Sequence, residues 1–228
     1  MPTDLPPAPD VSDYRGLIGT PLGMMGNDTL GDCTAAAKGH LIQTWTGWNC
    51  PPGIVPSDAD VIAFYSGSTG YDPSDPSTDQ GGVMLDVANY WRQTGLAGHK
   101  IGAFAAVDPQ NAEHVKQAIH LLTGIDIGVA LPATAQNQTV WDVVGDGQTG
   151  DSAPGSWGGH DVPIIGYNAA YLFCITWGQV LPMTWEFFAA YCDEAYAMVS
   201  QDYLDIAHLS PNGLDLLTLQ RDLQEITK

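Results

Sequence analysis

Helix-forming segments fill the first half of this chain and strand-like apolar runs fill most of the second, and that order limits the folds open to it. A helical block followed by a strand-rich block specifies an α+β domain with two lobes. The first helix follows Asn27-Asp28-Thr29-Leu30-Gly31-Asp32, a polar turn that runs straight into Cys33. Ala35, Ala36 and Ala37 favour helix strongly, and Leu41, Ile42 and Trp45 supply one apolar face. Asn49-Cys50-Pro51-Pro52-Gly53 breaks it. Ser57 ahead of Asp58 and Asp60 marks a second start, and residues 83–94 form a further helix stopped by Gly95. Strands are expected over residues 101–107, 125–131, 161–167, 171–177 and 196–200. Helices are expected from Asp108-Pro109 through Leu122, over 184–191, and over the amphipathic stretch 214–226. Residues 1–25 are expected as an extended arm and loop, with Met24 and Met25 walling a cleft. Residues 26–205 are expected as one domain, and 206–228 as a helix packed on that domain or on a partner.

Charge excludes some functions. Lys and Arg number 7 against 26 Asp and Glu, a net charge of −19. Such a surface repels nucleic acid and anionic membrane, so neither is an expected partner. No window approaches a membrane span, and the first residues lack the basic start and apolar stretch of a secretion signal. The default expectation is the cytoplasm, with a phage particle or release by lysis as the other routes for such an N-terminus. Cys33, Cys50, Cys174 and Cys192 are scattered without metal-ligand spacing, as are His40, His99, His114, His120 and His208. No metal or cofactor is expected. Cys50, Cys174 and Cys192 are taken as buried or half-buried thiols, with one disulfide among them left open. Asp72, Asp75 and Asp79 match no calcium loop and are expected in a solvated turn.

The chemistry centres on Cys33. On the first turn of a helix, unpaired N–H groups and the positive end of the macrodipole favour a thiolate, so its pKa is expected to fall. An isolated cysteine there is also explained as a small buried residue. The second element is Gly155-Ser156-Trp157-Gly158-Gly159-His160-Asp161-Val162-Pro163-Ile164-Ile165-Gly166-Tyr167, where His160 ends a glycine-rich loop and begins an apolar strand. A following strand would bring Trp177-Gly178 near it. A cysteine, a histidine and an orienting polar group are the parts of thiol nucleophilic catalysis.

In these features the chain resembles the papain-like cysteine peptidases. In that family a Gln stands six residues before the nucleophile and a Gly two before it; Asn27 and Gly31 hold those positions. The family histidine is followed by apolar residues and Gly-Tyr, as His160 is by Gly166-Tyr167. The family Asn-Ser-Trp-Gly is answered by Ile175-Thr176-Trp177-Gly178, and its Gly-Gly pair before a helix by Gly81-Gly82. The resemblance implies a helical lobe opened by the nucleophile helix and an antiparallel β lobe carrying the histidine. It implies Cys33 as nucleophile, His160 as base, the Cys33 N–H and Asn27 as oxyanion donors, Gly81 and Gly82 beside the substrate backbone, and Trp177 shielding His160. Ile175 cannot accept a hydrogen bond as the family Asn does; Thr176, Asp161, Asn168 and Glu186 carry acceptors that could stand in.

The implied function is a thiol hydrolase acting on peptide or protein substrates through an acyl-enzyme. Two alternatives stand beside it: a catalytically weak or inactive papain-like fold serving as a binding or phage-associated structural module, and a cell-wall amidase or transferase on the same scaffold.

Overall fold

The computed structural model describes residues 6–202 together with residues 212, 213, 215 and 218. After the short strand β1 (Ser12–Asp13) come three helices, α1 (Cys33–Asn49), α2 (Asp58–Thr69) and α3 (Met84–Thr94). Then follow β2 (Ile101–Ala106), α4 (Ala112–Leu122), β3 (Ile125–Leu131), β4 (Gly158–Tyr167), β5 (Tyr171–Thr176), β6 (Gln179–Thr184), α5 (Trp185–Tyr191) and β7 (Cys192–Ser200). Apart from residues 215 and 218, the helix expected over 214–226 lies outside the described residues. Among the described residues no helix is long and apolar enough to cross a membrane.

Local chemistry sets the helix ends. The Ser57 hydroxyl accepts the Asp60 N–H at 3.2 Å and caps α2, and Gly70, in the left-handed region, closes it. Asn111 caps α4 by accepting the His114 N–H at 3.2 Å, three residues past the expected Asp108 start. The strands form one antiparallel sheet in the order β2-β7-β3-β4-β5-β6, with β1 added to β4. The strand β6 is not among those expected, because Pro182 breaks its pattern. Its edge position tolerates a residue without an N–H.

Two apolar cores flank the sheet. Ile125, Ile127 and Val129 of β3 pack with Val162 and Ile164 of β4 and with Phe187 and Tyr191 of α5. On the helical side Leu41, Ile42 and Trp45 of α1 pack with Tyr65, Trp91 and Met198. Trp45 stacks on Trp91 with centroids 5.4 Å apart and donates its indole N–H to the Leu122 carbonyl at 3.1 Å. Each such ring contributes roughly 1.5–3 kcal/mol by leaving water. Met25 belongs to this core and does not wall the cleft: it is fully buried beneath α1, where only glycine at position 39 leaves room for its sulfur. The four cysteines are free thiols; Cys174 and Cys192 are buried as expected, whereas Cys50 is exposed beyond the end of α1.

His40 lies inside α1, buried, with Nδ1 lacking a hydrogen-bond partner. Burial pulls its pKa down to about 4. A base depressed by folding keeps its contribution above its unfolded pKa and loses it as pH falls through the folded value. Urea unfolding should therefore show the wild type losing about 3 kcal/mol relative to His40→Gln between pH 7.5 and pH 4.

Candidate active site

The helical and β parts meet at a cleft of about 520 Å³. Asn27, Gly31, Cys33, Gly81 and Gly82 line it from the helical side, and His160 and Trp177 from the sheet side. Cys33 is the first residue of α1 and is half-buried. It lines the cleft beside Asp161, one residue beyond the imidazole. The start of α1 is seated on the start of β4.

The imidazole is fixed from two directions. Its Nε2 lies 2.8 Å from the Thr176 hydroxyl at the end of β5, and the Trp177 ring covers its face at 4.5 Å and 10°. Of the acceptors left open by the sequence, Thr176 is the one that meets the ring. Ile175 points the other way, into an apolar cluster with Leu22 and Ile165. Glu186 is exposed on α5. Trp177 and Gly178 are the two loop residues of the β5–β6 hairpin, with φ of +45° and +70°. Both central residues of such a turn take the left-handed conformation, which a bulky side chain seldom adopts. The local cost is borne by the hairpin, and the result is an indole laid flat on His160. Trp157 tilts against Trp177 at 5.4 Å and extends this aromatic wall.

The helical wall is tied together by an acid outside the expected site. Asp79 accepts the Gly31 N–H at 3.0 and 3.1 Å and the Tyr65 hydroxyl at 2.6 Å, and Tyr65 in turn accepts the Gly81 N–H at 3.0 Å. Asp79 is therefore a clamp on the nucleophile loop and not a solvated turn residue like Asp72 and Asp75. Gly82 is required by packing, since a Cβ there would come within 2.6 Å of the Thr34 hydroxyl. The Asn27 amide donates to Asp32 Oδ1 at 3.1 Å and to the Leu30 carbonyl at 3.4 Å, so its N–H groups serve its own loop.

Electrostatics overturn the expectation of a resting thiolate. Burial pushes the Cys33 thiol up to about 12, and the charges of Asp161 and Asp32 add to the shift. Burial also draws His160 down to about 4. The helix N-terminus favours an anion, but desolvation and two nearby acids outweigh it. At neutral pH the pair rests as a thiol and a neutral imidazole. Asp32 itself, buried at the head of α1, is raised to about 7 mainly by desolvation.

Beneath the site Lys38 of α1 forms buried ion pairs with Asp126 of β3 and with Asp161 of β4; Lys38 and Asp126 are not among the residues expected there, and Asp161 is expected only as an acceptor for His160. Their signal was present, as lone charges inside apolar runs of a chain with few cations.

No family model matches the chain, and no curated protein matches it in sequence. Its fold does have counterparts. It is similar to xylellain, a cysteine protease from Xylella fastidiosa (15% identity, TM-score 0.61, covering 84% of this chain and 86% of that one). It is similar to digestive procathepsin L 3 of the Tenebrio molitor larval midgut (12% identity, TM-score 0.62, 87% and 73% covered). It is also similar to the bromelain protease from Ananas comosus in complex with the E64 inhibitor (14% identity, TM-score 0.57, 84% and 99% covered). The likeness is one of architecture: the chain has the α+β papain-like fold, with a helical part and an antiparallel β part.

The hairpin tip carries a testable role. Trp177→Asn suits the left-handed turn and removes the cover from His160. Its imidazole pKa, followed by NMR titration, should rise from about 4 toward the ordinary value near 6.5.

Proposed function

We propose that the chain is a papain-like thiol hydrolase that opens peptide or related amide bonds through an acyl-enzyme, with Cys33 as nucleophile and His160 as its base. The observation that carries this reading is the seating of the imidazole, with Nε2 2.8 Å from the Thr176 hydroxyl and Trp177 over its face, on the cleft that Cys33 also lines. With the Nε2–H donated to Thr176, Nδ1 keeps its lone pair for the thiol proton. Thr176 is then the orienting group.

Because the pair rests uncharged, attack and proton transfer go together. The bond from sulfur to the carbonyl carbon forms as the proton passes to His160, and the imidazolium returns it to the departing amine. Water, deprotonated by His160, then releases the acid from the thioester. The Cys33 N–H, left unpaired by the helix it opens, serves the oxyanion. Asn27 joins it by exchanging its 3.4 Å contact with Leu30 for the developing charge. Gly31, Gly81 and Gly82 border the path of an extended substrate. The Gly81 N–H already goes to Tyr65, so Gly82 is the better placed for backbone pairing.

A second reading keeps the fold as a binding or structural module without turnover. The uncharged resting pair and the inward-turned Asn27 amide favour it. The two readings separate on incubation with E64, with denatured protein and with cross-linked peptidoglycan. The hydrolase reading expects E64 to label Cys33 and not the exposed Cys50, by mass spectrometry, and expects hydrolysis of denatured protein that Cys33→Ala abolishes. Thr176→Val should lower kcat by about 10–100-fold with little change in KM. Absence of both labelling and hydrolysis establishes the binding module, and cleavage of peptidoglycan alone establishes a cell-wall amidase.

A further inference from the structure

Behind Cys33 lies a group of charges that the proposed reaction leaves unused. Lys38, Asp126 and Asp161 are buried, and the Lys38 ammonium donates to Oδ2 of both acids, at 2.7 Å to Asp161. Each member comes from a different element. Lys38 is on α1 little more than a turn past Cys33, Asp126 is on β3, and Asp161 follows His160 on β4. Asp161 lines the same cleft as Cys33. The cluster therefore stands directly behind the reacting atoms and joins the two elements that carry them.

Its charge does not balance when every group is ionised. One ammonium and two carboxylates leave a net negative charge in a region from which water is excluded, an expensive arrangement. The geometry offers relief. The two carboxyl groups meet at one ammonium, and Oδ1 of each is buried without a partner. Burial and the charge of Asp126 raise Asp161 well above the ordinary carboxylate range. Holding one proton, the cluster is neutral; without it, a buried negative charge faces the sulfur. The other groups around it are Asp32 just ahead of α1, His160 on β4, and Asp193, Glu194 and Tyr196 on β7, of which Glu194 and Tyr196 stand opposite Gly128 and Asp126 of β3.

We propose that Lys38 is a positioning residue for Cys33: held between Asp126 and Asp161, its charge offsets the acids behind the sulfur and so sets how readily the thiol ionises. The inference rests on Cys33 being the reacting atom and not on peptide hydrolysis being the outcome. Lys38 touches no substrate and acts through the electrostatic potential at the sulfur and through the fixed register of α1 on β4.

The test is the rate of Cys33 alkylation by iodoacetamide against pH, read by mass spectrometry, which needs no turnover. In the wild type the logarithm of the rate should climb with pH and then bend where the carboxyl carbon of Asp161 titrates by NMR. A line of constant slope through that titration overturns the proposal. Asp126→Asn leaves Lys38 balanced by a single carboxylate; it should remove the bend and raise the rate above it about tenfold. The double variant K38M/D126N leaves Asp161 without its cation; a lone buried carboxyl stays protonated, so the logarithm of the rate should climb in a straight line without the bend. If both variants fold by circular dichroism and keep the wild-type profile, the cluster is structural only and the proposal fails. If the double variant does not fold, the wild-type bend and Asp126→Asn decide the matter. Alkylation that follows the expected pattern in a chain without hydrolytic activity would retain this inference and remove the proposed function.

Discussion

The start of helix α1 rests on the start of strand β4, and the site exists only where these two elements keep one register. Apolar packing supplies most of the attraction between them, but it is non-directional and tolerates sliding. Hydrogen bonds and charges are what define the register. The Lys38 ammonium reaches across from α1 to acids on β3 and β4. A slip of one residue on β4 would turn Asp161 away from Lys38 and direct a valine at the cation. Buried ion pairs add little net stability, but they penalise alternatives of this kind heavily.

The same burial that fixes the site keeps it uncharged. Cys33 and His160 lie where water is scarce, and each is held in its neutral form by desolvation. A neutral pair is stable at rest and becomes polar only when an occupant brings charge development with it. The wall around the ring serves that state: the hydroxyl of Thr176 fixes one nitrogen, and Trp177, Trp157 and Trp141 surround the ring with aromatic surface.

Much of this architecture is legible in the sequence where a local rule is strong. The Ser57 cap, the alternation of residues 125–131 and the glycine after Thr94 set their elements to within a residue or so. The cysteine, the histidine and the tryptophan that stacks on it are also brought to one cleft. What was not legible depends on tertiary context. The helix-terminus argument for a thiolate is local, and it loses to desolvation and to the charge of Asp161, which the fold brings there. Thr176 could not be chosen over Asp161 or Asn168 until the hairpin register turned Ile175 into the core. Met25 looked like a cleft residue because nothing in its loop shows that a glycine at position 39 receives its sulfur.

The Asp79 clamp has a mechanical corollary. By holding Gly31 and Tyr65 at once, and through Tyr65 the backbone of Gly81, one acid welds the two loops of the near wall into a single stiff plate. The facing side is built differently, from backbone that pairs with β3 and carries few side chains. There Gly155, Gly158 and Gly159 border open space, where even an added methyl would touch nothing. The groove is thus lopsided in its lining: braced by an acid and a phenol on the helical side, and on the other bare backbone that leaves room for an occupant's side chains.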